Sequence, residues 1–130
     1  MPLKVKKLVS HAIIPKRTSN VSAGYDLYST EGYVILPGHR AIVSTGISLI
    51  LPEGVYGRFA SLTGLSIKNG LQTGADVIDP DYTKEIKVVL FNSGTNHFHI
   101  QPGYRIAQLI LERFETHDVV EETSDSNDLE

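Results

Sequence analysis

Cysteine is absent from the 130 residues, which excludes a disulfide framework, a zinc–thiolate site and thiol catalysis. No apolar run approaches the ~18 residues a membrane-crossing helix needs. The stretch from Met1 to Lys7 holds no apolar segment long enough for a secretory signal. Neither a P-loop nor a dinucleotide-binding glycine fingerprint occurs, and there is no repeat or low-complexity block. Apolar residues make up 41 % and charged residues 21 % of the chain, a little short of average globular composition. A folded chain of this length buries roughly two-thirds of its unfolded surface, so no cross-link is required. These absences predict a soluble, single-domain protein inside the cell, in cytoplasm or nucleus, with no membrane and no nucleic acid as partner.

The charge that is present is unevenly spread. Residues 1–25 carry Lys4, Lys6, Lys7, Lys16 and Arg17 and no acid, whereas residues 118–130 carry six acids and no base. The net charge is −3, so without those six acids the body stands at about +3. That suits an anionic ligand but falls short of the basic stripe of a duplex-DNA reader. The division predicts a domain over 1–117 and an acidic tail over 118–130, the exposed place for any protein partner.

What is there reads as strands joined by turns. Gly and Pro total 17 residues, 11 and 6, and punctuate the chain every ~10 positions, as in a sandwich or closed barrel. Strands are expected over 33–38, 41–52, 55–60, 85–92, 97–100 and 104–114. Although Ala, Gln, Leu and Glu favour a helix in the last of these, alternation and a mostly apolar run fit a strand buried on both faces. The one helical segment is Thr63 to Gly70, capped by Ser61 or Thr63 and ended by Gly70 or Asn69.

Several residues could carry chemistry. If Asp79 and Asp81 continue a short strand over 75–78, they share one face and can activate water; otherwise Asp79-Pro80 is an ordinary turn. Ser61, Thr63, Gly64 and Ser66 open the helix with Lys68 after them, which suits either a phosphate or a plain capped turn. His97 and His99 could share a metal from one strand face, but no third ligand is placed beside them. Asp26 and Gln108 are lone polar residues in apolar strands.

Together and in this order, these segments resemble the trimeric dUTP pyrophosphatase (dUTPase) family over roughly residues 3 to 115. Ala23-Gly-Tyr-Asp-Leu-Tyr-Ser29 is similar to its first motif, Tyr56-Gly-Arg-Phe-Ala60 leads into the second, Val77-Ile-Asp-Pro-Asp-Tyr82 resembles the third and Gly103 to Leu109 the fourth. The resemblance implies an all-β, jelly-roll-type barrel with one short helix, assembled as a homotrimer with sites between subunits. It places Asp79 as the carboxylate that orients water toward the α-phosphorus, and Tyr82 beneath the deoxyribose. Val77 and Ile78 would read uracil through their main chain, with Lys87 at a neighbouring substrate contact. Thr63 and Gly64 fall in the phosphate-binding turn with Gln108 close by. Asp26 would act on Mg²⁺ through water, where the nucleotide is dUTP or dUMP.

Departures fall on those same positions. Leu62 stands where the second motif has arginine, which replaces a five-donor fork with an apolar side chain. Asp76 stands where the third motif has glycine, Lys84 replaces the glycine after its tyrosine, and Tyr104 replaces the acid of the fourth. The glycine-rich fifth motif has no counterpart; Glu115 to Glu130 contains no glycine. These changes predict a catalytically impaired relative, a trimeric binding or scaffold module rather than an enzyme. The alternative is a working dUTP diphosphatase using Mg²⁺, kept open by Asp79 and Tyr82. A third reading, a dCTP deaminase-like enzyme, fits the third motif poorly.

Overall fold

The structure is a computed structural model that describes residues 1–123. In chain order the first strands are β1 (Lys4–Lys7), β2 (Tyr25–Tyr28), β3 (Tyr33–Ile35), β4 (Arg40–Ser44), β5 (Ile47–Ile50) and β6 (Val55–Ala60). Helix α1 (Thr63–Asn69) follows, then β7 (Leu71–Gly74), β8 (Val77–Ile78), β9 (Lys87–Asn92), β10 (Phe98–Ile100) and β11 (Arg105–Arg113). All pairing is antiparallel, in sheets ordered β2-β11-β6-β8, β4-β9-β7, β1-β5 and β10-β3. Leu27, Val43, Val88, Ala107 and Leu109 are fully enclosed at 0 % exposure, so the sheets share one apolar core. The architecture is the expected β fold with one short helix.

Residues 105–113 of the segment expected over 104–114 form a strand, but it is not buried on both faces as its apolar run predicts. Ala107 and Leu109 face the core while Gln108 and Glu112 face outward, half-buried. The single strand expected over 41–52 is two strands. Thr45 and Gly46 form a corner between them, and Gly46 adopts φ +69°. A Cβ there would lie 2.8 Å from both Thr30 Cγ2 and Val9 Cγ2, so only glycine fits.

Helix α1 ends as predicted at Gly70, whose left-handed backbone closes on the carbonyls of Leu65 and Ser66. Its start differs from the prediction. Leu62 is the N-cap, without a side-chain cap, and the Ser61 hydroxyl instead accepts the Thr73 N–H at 3.1 Å. No strand or helix is formed by residues 114–123. The rest of the expected acidic tail, 124–130, lies outside the described residues.

Candidate active site

Strand β8 is two residues long because both of its ends turn. Ala75 enters it at φ +52°, and Pro80, with no N–H to give a neighbouring strand, stops it. Tyr82 N–H donates to the Asp79 carbonyl at 3.0 Å and closes the turn. Asp79 and Asp81 therefore do not share a strand face, contrary to one sequence expectation. Around this turn lies a cavity of about 210 Å³ walled by Val77, Ile78, Tyr82 and Lys87, with Phe59, Ala75 and Ile86 behind them. Four sequence-predicted residues thus meet in one place, and exposed Asp79 follows Ile78 directly.

The loop that carries Asp79 and Tyr82 is fastened to the corner between β4 and β5. The Tyr82 hydroxyl donates to the Glu85 carbonyl at 2.7 Å, and the Glu85 carboxylate accepts the Gly46 N–H at 3.0 Å. One residue on, the Ile86 carbonyl accepts both the N–H and the hydroxyl of Thr45, at 3.3 and 2.5 Å. Ile86 N–H donates to Ile47 at 2.8 Å. Sequence reasoning missed Glu85, Phe59 and Ile86; Glu85 lies 39 residues from its partner Gly46 and carries no local signal.

A second cluster holds Asp26, Gln108, Thr63 and Gly64. Gln108 and Asp26 are cross-strand partners on the outer face of the β2–β11 pair. Ile106 is an extra residue between Arg105, opposite Tyr28, and Ala107, opposite Leu27. This bulge brings Arg105 and Gln108, three positions apart, to the same face as Asp26. The Asp26 carboxylate accepts from Thr18 Oγ1 at 3.0 Å and from Arg105 Nη1 at 3.3 Å. Burial first, then the Asp26 charge, pushes the Tyr28 phenol above its ordinary value, and Arg105 opposes them.

Gly24 belongs to this cluster by the space it leaves: a Cβ there would sit 2.4 Å from Gln108 Oε1. Gln108 Nε2 in turn donates to the Ser61 carbonyl at 3.3 Å, at the entry to α1. Thr63 and Gly64 are exposed there, and nothing lies within 4 Å of where a Gly64 Cβ would stand. None of Asp26, Gln108, Thr63 or Gly64 lines the cavity beside Asp79. His97 lies outside β10, and among the described residues no three His, Asp or Glu side chains are grouped to hold a metal directly.

Two of the altered positions, Leu62 and Asp76, keep their main-chain bonds. Leu62 accepts the Ser66 N–H at 2.9 Å through its main-chain carbonyl and so starts the helix whatever its side chain. The Asp76 carbonyl accepts the Phe59 N–H at 2.8 Å and keeps the β6–β8 ladder. Its side chain does not wall the cavity, although Oδ1 is buried without a hydrogen-bond partner.

Fold and site together define a small β-barrel protein with a small, mostly apolar-walled cavity beside an exposed carboxylate. The dUTPase family model matches residues 10–130, and the chain belongs to the dUTPase family. Similarity to named enzymes is high. A deoxyuridine 5′-triphosphate nucleotidohydrolase of Yarrowia lipolytica is 48 % identical over 130 residues, 100 % of this chain and 82 % of that one. That of Candida albicans is 50 % identical over 108 residues, 83 % of this chain and 68 % of that one. The human mitochondrial enzyme of the same name is 49 % identical over 113 residues, 87 % of this chain and 45 % of that one.

Among solved structures, a mutant dUTPase of phage phi11 of S. aureus, described with a structural Mg(II) ion, superimposes with a TM-score of 0.89. It is 23 % identical and covers 97 % of this chain and 99 % of that one, a likeness of fold. These relatives correct the expectation of an impaired, non-enzymatic scaffold: proteins sharing about half of this sequence carry the name of a deoxyuridine 5′-triphosphate nucleotidohydrolase. The main-chain bonds of Leu62 and Asp76 keep the helix start and the β6–β8 ladder despite the changed side chains, and Asp79 and Tyr82 are kept.

Proposed function

We propose that this chain hydrolyses dUTP to dUMP and pyrophosphate with Mg²⁺, as a homotrimer whose sites lie between subunits. The observation that carries the reading is the convergence of Val77, Ile78, Tyr82 and Lys87 on one small cavity directly before an exposed carboxylate. At about 210 Å³ it is smaller than a drug-sized pocket and suits a single pyrimidine ring. The main chain of Val77 and Ile78 offers hydrogen bonds to the ring, and Tyr82 lies under the sugar. Asp79 takes a proton from the water that attacks the α-phosphorus, and the bond to the bridging oxygen breaks to release pyrophosphate.

Thr63 and Gly64 present hydroxyl and main-chain donors to the phosphate chain, with Gln108 alongside. The donor set near them fits Mg²⁺ in an indirect role. Asp26 is a hard oxygen donor already oriented by Thr18 and Arg105, and no protein cage for direct ligation surrounds it among the described residues. Asp26 would hold such an ion indirectly, by accepting from waters bound to it. When bound, Mg²⁺ neutralises charge on the phosphates.

Because the phosphate turn and the base cavity are not joined within one chain, a neighbouring copy supplies one half of each site. Val77, 63 % exposed, and Ile110 on the outer face of the large sheet are apolar surface for such a copy to cover. The domain over 1–117 carries all of these residues, and 118–130 holds six acids and no base. A nucleoside triphosphate substrate accords with residence in cytoplasm or nucleus; among the described residues no helix is long and apolar enough to cross a membrane.

The test is pyrophosphate release from dUTP with Mg²⁺, with Asp79→Asn alongside. Release by the unaltered chain that vanishes in the variant supports the reading. No release from either overturns it.

A further inference from the structure

We infer that Glu85 is a positioning residue that sets the preference of this site for a deoxyribose over a ribose; the inference rests on the reading of Tyr82 as the ring beneath the sugar. Tyr82 is 39 % exposed and forms one wall of the cavity. Packing alone does not fix a ring so open. Its hydroxyl is tied to the Glu85 carbonyl at 2.7 Å, so the ring stands where the backbone of residue 85 puts it. That backbone is held in turn by the Glu85 carboxylate on the Gly46 N–H at 3.0 Å.

The far end of this link does not move. Gly46 sits at φ +69° with Thr30, Val9 and Ala12 within 3.1 Å of where a Cβ would stand. Its carbonyl also accepts the Leu8 N–H at 2.7 Å. The sequence of contacts runs from a rigid corner, through a carboxylate and a main-chain carbonyl, to a phenol and its ring. A ring so fixed meets the sugar at a set height, and the extra hydroxyl of a ribose then has no room. Discrimination of this kind depends on sub-ångström placement.

Removing the carboxylate leaves the fold standing, because Ile86 is fastened separately by Thr45 and by Ile47. Only the part of the loop before Ile86 is released, and that part carries the Tyr82 anchor.

The experiment measures dissociation constants of the full chain for the non-hydrolysable imido analogues of dUTP and UTP by calorimetry, so that turnover is not needed. It compares the unaltered chain with Glu85→Ala, Glu85→Gln, Tyr82→Phe and the double variant Glu85→Ala/Tyr82→Phe. Glu85→Ala is expected to cut the deoxy-over-ribo preference about tenfold. Glu85→Gln, whose amide oxygen still accepts the Gly46 N–H, restores it. Tyr82→Phe, which keeps the ring and loses the anchor, produces the same loss, and the double variant adds nothing further.

A merely structural role would lower affinity for both analogues equally and leave the ratio unchanged; that result overturns the inference. An unaltered chain without any deoxy preference overturns it as well. Preference lost in Glu85→Ala while the unaltered chain releases no pyrophosphate upholds the role of Glu85 and defeats hydrolysis alone. Hydrolysis with an unmoved preference does the reverse.

Discussion

Asp79 is exposed at the end of a two-residue strand, where its side chain supports no packing. Asp79→Asn is therefore expected to reduce pyrophosphate release by roughly 10² to 10⁴, the usual worth of a general base, while the melting temperature stays within about 1 °C, as for surface changes. Stopped turnover assays and a thermal melt on the same preparation check both halves. Gly46 is the opposite kind of residue, with no chemistry of its own. Gly46→Ala forces a left-handed backbone on a Cβ that clashes with Thr30 and Val9, a combination expected to cost about 2–4 kcal/mol in urea unfolding. The meeting of Val77, Ile78, Tyr82 and Lys87 at one cavity was legible from the motif resemblance, which works residue by residue. Glu85 and Thr45 were not, since each acts through a partner 39 and 41 residues away.

Among the elements, β6 and β11 carry a polar set that no local residue pattern joins. Tyr56 and Glu112 are direct cross-strand partners. The Glu112 carboxylate accepts from the Tyr56 hydroxyl and from Arg58 Nε and Nη2, the last two at 3.1 Å. Phe114 meets the Tyr56 ring edge-on at 5.8 Å. Arg58 first, then Tyr56, holds the Glu112 carboxyl below its ordinary 4.5. Its contribution to stability is accordingly present above that value and lost as pH falls through the lowered one. In melts taken from pH 6 down to 2, Glu112→Gln should flatten the acid limb of stability relative to the unaltered chain. The Tyr56 phenol is raised from 10.0 by the same hydrogen bond, so its share is present below that pH and lost above it. Strands with apolar alternation, β6 and β11 above all, were legible. Strands β1, Lys4-Val-Lys-Lys7, and β7, Leu71-Gln-Thr-Gly74, were not, because partners rather than composition make them strands. The bulge at Ile106 was likewise invisible, since it exists only relative to β2.

At the scale of the molecule, motif order was enough to expose the fold, whereas the separation of the two site clusters needed coordinates. In the proposed assembly three copies of 14.3 kDa sediment at about 43 kDa. The division between clusters has a direct test in mixed trimers. Gly64→Glu places a charge in the phosphate turn at a position with open space around it, so it is expected to fold and to repel the triphosphate. Asp79→Asn and Gly64→Glu chains, each inactive alone, should recover roughly a quarter of the turnover when unfolded and refolded together at equal amounts, since each half of a site then has an even chance of coming from the competent copy. Refolding without recovery would mean that one chain supplies both halves. The same division governs inheritance. Where two versions of the gene are expressed side by side, a copy damaged only in the cavity silences one site in its trimer. A copy damaged in both cavity and turn silences two, and in neither case all three. Loss of function in this protein is therefore expected to be recessive, with each defective chain subtracting from its partners' output instead of abolishing it.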